Sequence, residues 1–243
     1  MSTTSTSRLS ILTACFSALF LSVGVHATET MVTFNGIVGE VRYADCSSYS
    51  SSGSCQGWNN TQIQTTDFFP GTTITLGEAF SGTFTYDSDA SGYLSSDGYQ
   101  TSYLWATSAS SFSTPNFALP RGSLDATAGH VSISDGRSGA DGFRVSHDYT
   151  NSNFFIEVST FNYDPTGKAF SSHALPVSMD GSTFASNRMS LVFLRSSDRD
   201  QVWVTGSIAS FNLSPIAEPS TASLSALGLL AFAFGMRRRF LQR

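Results

Sequence analysis

Between residues 28 and 215 apolar and polar side chains alternate in short runs, and no stretch keeps a 3.6-residue period over three turns. In 79–86 (AFSGTFTY), Phe80, Gly82, Phe84 and Tyr86 fall on one side and Ser81, Thr83 and Thr85 on the other, the two-residue period of a half-buried strand. The same alternation returns in Phe143, Val145 and His147, and in Val202, Val204, Gly206 and Ile208. Further runs rich in Val, Ile, Phe, Tyr and Thr, at 31–43, 130–134, 153–161 and 189–195, are bounded by Gly, Asp, Asn and Ser clusters and read as strands. Asp97-Gly98, Asp135-Gly136, Asp141-Gly142 and Asp180-Gly181 supply turns of the kind that join antiparallel neighbours. The pattern predicts an all-β body, an antiparallel β-sandwich of jelly-roll type, with helix confined to 9–25 and 220–236.

Those two segments differ from the body in composition. Arg8 precedes an apolar run at 9–25, and Val25-His26-Ala27 offers small residues for cleavage, so residues 1–27 read as a secretory signal peptide. Leu12-Thr13-Ala14-Cys15 also matches a lipoprotein box. That competing reading is disfavoured because only six residues separate Arg8 from Cys15 and the apolar run continues past the cysteine. At the other end, Glu218, Pro219, Ser220 and Thr221 lead into an apolar run that ends in Arg237, Arg238 and Arg239. As a helix, 220–236 covers about 25 Å against a hydrocarbon core of about 30 Å, short for a permanent span but long enough to halt in a bilayer. The arginines bias the C-terminus to the cytoplasmic side and leave the body on the far side.

This tail, with Ala217-Glu218-Pro219-Ser220-Thr221 before the apolar run and the arginine cluster after it, resembles the PEP-CTERM sorting signal of Gram-negative bacteria. The first proline of that pattern is absent here. The body is similar to the β-sandwich regions of such proteins through Gly82-Thr83-Phe84-Thr85-Tyr86-Asp87 and Asp141-Gly142-Phe143. The resemblance implies an exosortase-type membrane protease as partner, cutting near Glu218-Pro219, then release or attachment at the cell surface or in an exopolysaccharide matrix. It divides the chain into signal peptide (1–27), β-sandwich domain (28–215) and sorting signal (216–243), and it carries no active site to transfer. A GPI-type signal is disfavoured because such tails end apolar, and a sortase signal lacks its Leu-Pro-x-Thr-Gly motif here.

Once the ends are set apart, the charge balance changes. Five of the 13 Lys and Arg lie in them, whereas all 18 Asp and Glu lie from Glu29 to Glu218, so a mature chain that ends at Glu218 sets eight basic residues against 18 acidic ones, a net charge near −10. Nucleic acid is thereby excluded as an expected partner, since it demands clustered Lys and Arg. Removal of Cys15 with the signal leaves Cys46 and Cys55, an even pair that in an oxidising compartment predicts one disulfide around a Ser/Gly-rich loop.

The motifs that carry chemistry each have a plainer alternative. Asp87, Asp89 and Ser91, ahead of Gly92, space oxygen donors as a Ca²⁺ loop does, yet position twelve is Gly98 where a bidentate Glu belongs. The alternative is a strand-ending turn. No other cofactor is expected. Gly136-Arg137-Ser138-Gly139-Ala140 is reminiscent of a nucleophile elbow, but its flanks read strand to strand, and an elbow needs a strand-to-helix turn. His130, His147 and His173 are scattered, with His147 expected to be packed. Trp58, Trp105 and Trp203 are expected in the core by default, except Trp58, whose Gly/Asn/Gln-rich surroundings point to the surface and to ligand binding. The expected role is therefore a structural or adhesive exported protein without catalysis. A carbohydrate-binding module would instead show exposed Trp or Tyr on a sheet face, and a secreted hydrolase would show converging carboxylates or a Ser/His pair in a cleft.

Overall fold

Strands make up every long element of the computed structural model, which describes residues 29–49, 55–120, 124–137 and 139–216. The expected signal helix and membrane-halting helix lie outside these residues. In chain order the strands are β1 (Glu29–Tyr49), β2 (Cys55–Ile63), β3 (Thr65–Thr66), β4 (Ile74–Thr75), β5 (Ala79–Asp87), β6 (Tyr93–Leu94), β7 (Gln100–Leu104), β8 (Thr107–Thr114), β9 (Phe117–Leu119), β10 (Asp125–Arg137), β11 (Ala140–Thr150), β12 (Phe154–Asp164), β13 (Met179–Asp180), β14 (Ser186–Arg195) and β15 (Gln201–Pro215). A single 3₁₀ turn among the described residues, Gly181–Thr183, is capped by the Asp180 carboxylate, which accepts from the Ser182 N–H. Among the described residues no helix is long and apolar enough to cross a membrane.

Thirteen strands join one antiparallel sheet in the order β6-β7-β10-β11-β12-β14-β15-β1-β5-β8-β9, with β2 added beside β1 and β13 beside β15, while β3 and β4 form a small hairpin. β1 can serve both β5 and β2 on one side because its first half, Glu29 to Ile37, pairs β5 and its second half, from Val41, pairs β2. Between the halves, register shifts at Asn35/Gly36 and Val38/Glu40 mark bulges in the β1–β15 ladder. Bulges bend and twist a sheet. Here the bend brings β8 over β10 and β11, where the Tyr149 hydroxyl donates to the Ser110 carbonyl at 2.8 Å. The two layers expected of a sandwich are thus two parts of one continuous, curled sheet.

Alternation determines what lies between those parts. β5 buries Phe80, Gly82, Phe84 and Tyr86, the face expected from its sequence. On β1 the buried set changes parity from Val32, Phe34 and Val38 to Val41, and on β15 from Val202, Val204 and Ile208 to Phe211 and Leu213, each change falling at a bulge. Phenylalanine fills most of the space: Phe34 stacks on Phe84 with centroids 5.5 Å apart, and Phe80 on Phe112 at 5.9 Å. Loop rings close the two ends. Phe69, between β3 and β4, meets Phe154 at 4.9 Å, and Phe170, between β12 and β13, meets Phe143 at 6.2 Å. Gly82 leaves room for a ring, since a Cβ there would lie 2.3 Å from Phe34 Cζ.

Candidate functional site

The sorting residues Glu218, Pro219, Ser220, Thr221, Arg237, Arg238 and Arg239 lie outside the described residues. Cys46 and Cys55 are joined by a disulfide that ties the β1–β2 hairpin, with Tyr49 opposite Cys55 in register. β2 itself was expected as loop; its low-hydrophobicity sequence is held extended by pairing with β1. Asp87 ends β5 and its carboxylate accepts from the Asp89 N–H at 2.9 Å, so it stabilises the turn, while Asp89 and Ser91 are exposed. Among the described residues no group of three or more His, Cys, Asp or Glu is arranged to hold a metal ion. Gly136 and Gly139 take positive φ in a hairpin between β10 and β11, strand to strand, and Ser138 is outside the described residues.

Trp58 lies at the surface as its surroundings lead one to expect, whereas Trp105 and Trp203 depart from the core default. Trp58 is 38% exposed, Trp203 45% and Trp105 73%. Trp203 is outward because it sits between the buried Val202 and Val204, and Trp105 because the chain turns there with positive φ. Trp203 and Phe161, itself 47% exposed, border the two ends of an outer-face groove of about 550 Å³ that runs over β12, β14, β15 and β1. Three features shape it. The Val38/Glu40 bulge leaves Gly39 without a register partner and Glu40 opposite Thr205, so one stretch of the groove is bare backbone. Across the sheet, Phe161, Arg188 and Ser207 stand side by side, and Val192, Trp203 and Arg42 do the same. Phe161 is backed by Tyr163, with nearly parallel rings 6.4 Å apart, and Trp203 is held by its indole N–H donating to Gln201 Oε1 at 2.7 Å. In register, Trp58 continues the side of β2 that carries Gln62, the partner of Arg42.

Between the rings lie Ser190, Thr205, Ser207 and Arg188. None of these four side chains makes a hydrogen bond or ion pair among the described residues. The neighbouring arginines are committed: Arg42 to Glu40, Arg144 to Glu157. Phe161 and Trp203 are separated by two strands across and four residues along, about 16 Å by ordinary strand spacings.

Beside the groove the same face carries a polar cluster from β10, β11 and β12. Ser146 Oγ lies 2.9 Å from His130 Nδ1, and burial, with Arg144 nearby, lowers the His130 pKa. Ser146 is fully buried, so its oxygen is closed to a substrate, and the pair cross-links β10 to β11. Asp148 stands opposite Glu157 in register, and burial, reinforced by the Glu157 charge and opposed by Arg144, raises its pKa to about 6. His147 is packed against Tyr149 with centroids 5.2 Å apart and its pKa is lowered by burial. His173 serves through its backbone carbonyl, which accepts from the Tyr103 hydroxyl.

No family model, curated protein or solved structure matches this chain. The groove therefore stands on its geometry alone. Sequence reasoning missed Phe161, Arg188 and Trp203 as a set, although one signal was present: Trp203 and Phe161 both occupy the outward phase of their strands, where a large aromatic has no core to fill.

Proposed function

We propose that this chain is an exported surface or matrix protein, sorted through its C-terminal signal, whose β-sandwich body adheres to polysaccharide without turning it over. The tripartite tail supports the sorting half of this reading. The adhesive half rests on the groove: two solvent-facing aromatic rings at its ends, with three uncommitted hydroxyls and bare backbone between them. Sugars present both chemistries at once. Their C–H faces cover aromatic rings, and their hydroxyls exchange hydrogen bonds with Ser and Thr. A span of about 16 Å between the rings fits several sugar units and not a single one. The Ser146–His130 pair, whose serine is buried, and the turn-bound carboxylates of Asp87, Asp164 and Asp180 take part in hydrogen bonds that hold the fold.

The test is affinity electrophoresis of the exported protein through gels containing soluble polysaccharides. Wild type is retarded by at least one polymer, and Trp203→Ala and Phe161→Ala each abolish the retardation while far-UV spectra stay unchanged. Retardation that survives both substitutions refutes the groove as the adhesive site.

A further inference from the structure

Arg188 gives the groove a chemical preference. Its guanidinium is exposed, sits beside Phe161 on one strand and Ser207 on the other, and has no acidic partner among the described residues, in contrast with Arg42 and Arg144 on the same face. In a body with 17 acidic residues between 28 and 215, a cation without a partner among the described residues, inside an aromatic-ended groove, is open to a ligand's anion. We infer that the groove takes a carboxylate-bearing polysaccharide, a polyuronate, with Arg188 pairing a sugar carboxylate while Phe161 and Trp203 cover sugar rings. This deepens the adhesive reading above and depends on it.

Three considerations favour a polyuronate over other anions. A guanidinium forms a planar fork that matches a carboxylate through two parallel hydrogen bonds. Neutral hydroxyls of Ser190, Thr205 and Ser207 surround it, which suits a ligand that carries many hydroxyls for each charge. Among the described residues the groove offers one uncommitted cation and not a cluster, so a polymer of dense charge such as nucleic acid finds too few partners. Long-range repulsion from the acidic body is screened beyond about 10 Å at 0.1 M salt, leaving the local pair to decide. Glu40 and Glu157 are already neutralised by Arg42 and Arg144 and do not oppose the ligand with free charge.

The experiment measures binding of the full exported chain, at 0.1 M salt, to polygalacturonate, polyglucuronate and alginate, each paired with its carboxyl-reduced neutral form, and to poly-glutamate. Expected is binding to at least one polyuronate that weakens about tenfold or more in its reduced form, and a similar loss in Arg188→Gln. Arg188→Lys recovers part of the affinity, because charge is retained and the fork is lost. Arg199→Gln, on the β14–β15 turn and outside the groove lining, binds as wild type. Equal binding to a polyuronate and its reduced form, or an unaffected Arg188→Gln variant, overturns the inference while leaving neutral-glycan adhesion intact. Binding to poly-glutamate as tight as to any polyuronate overturns it in favour of an acidic peptide. No binding to any sugar polymer overturns both the inference and the adhesive reading.

Discussion

Replacing Asp148 by Asn stabilises the body at neutral pH and leaves it unchanged in acid. Asp148 stands on β11 opposite Glu157 of β12, with Arg144 on its own strand and His130 on β10 as its nearest charged or titratable neighbours, and with Arg42, Glu40 and Arg188 farther along the same face. Its carboxyl pKa rises from 3.8 to about 6, first through burial and then through the Glu157 charge. A raised acid pKa means that the folded state binds the proton more tightly than the unfolded chain does, so stability falls as pH rises between 3.8 and about 6. Below that window both states are protonated and there is no cost; above it the full cost applies. A two-unit shift corresponds to about 3 kcal/mol, and partial exposure of the side chain reduces this to about 1 kcal/mol. Asn keeps the shape and cannot ionise. Urea denaturation followed by tryptophan fluorescence should therefore give Asp148→Asn about 1 kcal/mol more stability than wild type at pH 7.5, and equal stability at pH 3.5. A difference that is the same at both pH values refutes the reasoning, as does an NMR titration placing Asp148 near 3.8.

Other outcomes follow from the core, the hairpin and the tail. Phe84→Ala, at a fully buried ring stacked on Phe34, should cost about 3 to 5 kcal/mol in the same denaturation experiment. Gly82→Ala should cost about 1 to 3 kcal/mol, because its Cβ would lie 2.7 Å from the Ser111 backbone carbonyl oxygen as well as against the Phe34 ring. Removing the Cys46–Cys55 bridge by a double Ala substitution should lower stability by about 2 to 3 kcal/mol, with the cost read as a shift in urea midpoint at constant slope. Changing Arg237, Arg238 and Arg239 to Ser should let full-length protein escape into the periplasm or medium, since charged guanidinium groups cost about 2.5 to 3.5 kcal/mol each at a helix centre. Mass spectrometry of the mature C-terminus checks this, and a wild-type C-terminus intact through Arg243 in a host with an active exosortase would replace sorting with simple anchoring.

Strands with strong period-2 alternation, such as β5 and the middle of β11, were legible from residues alone because one face is apolar without interruption. Even the bulges left a trace, in the parity change from Val38 to Val41 and from Ile208 to Phe211. Short or polar strands were not legible. β8, Thr107–Thr114, carries no alternating apolar run to mark it as a strand; it is extended because β5 pairs with it and because only Thr107 and Phe112 need to reach the core. The groove was illegible for a different reason. Phe161, Arg188, Trp203 and Arg42 come from four strands spread over more than 160 residues, and only the curled sheet's order makes them neighbours.

The sheet's first and last strands are partners. β1 pairs β15 from Thr30↔Pro215 to Ala44↔Gln201, and the Ile216 N–H donates to the Glu29 carbonyl at 2.7 Å. Synthesis delivers β1 early and β15 late, so the first strand must wait for the last. Because β15 stands at the middle of the strand order, its absence separates β14 and everything beyond it from β1, β5 and β8. Such long-range pairing folds slowly. On the export route proposed above, the chain would stay unfolded throughout passage, and closure would become possible only once the residues just before the tail had emerged. A pause of the tail in the membrane would fall at that moment, giving the body time to close while still tethered. Ends that meet at one seam also make the protein a candidate for circular permutation, in which a short linker joins Ile216 to Glu29 and new ends open in a loop such as 196–200, with the barrel-like curl kept.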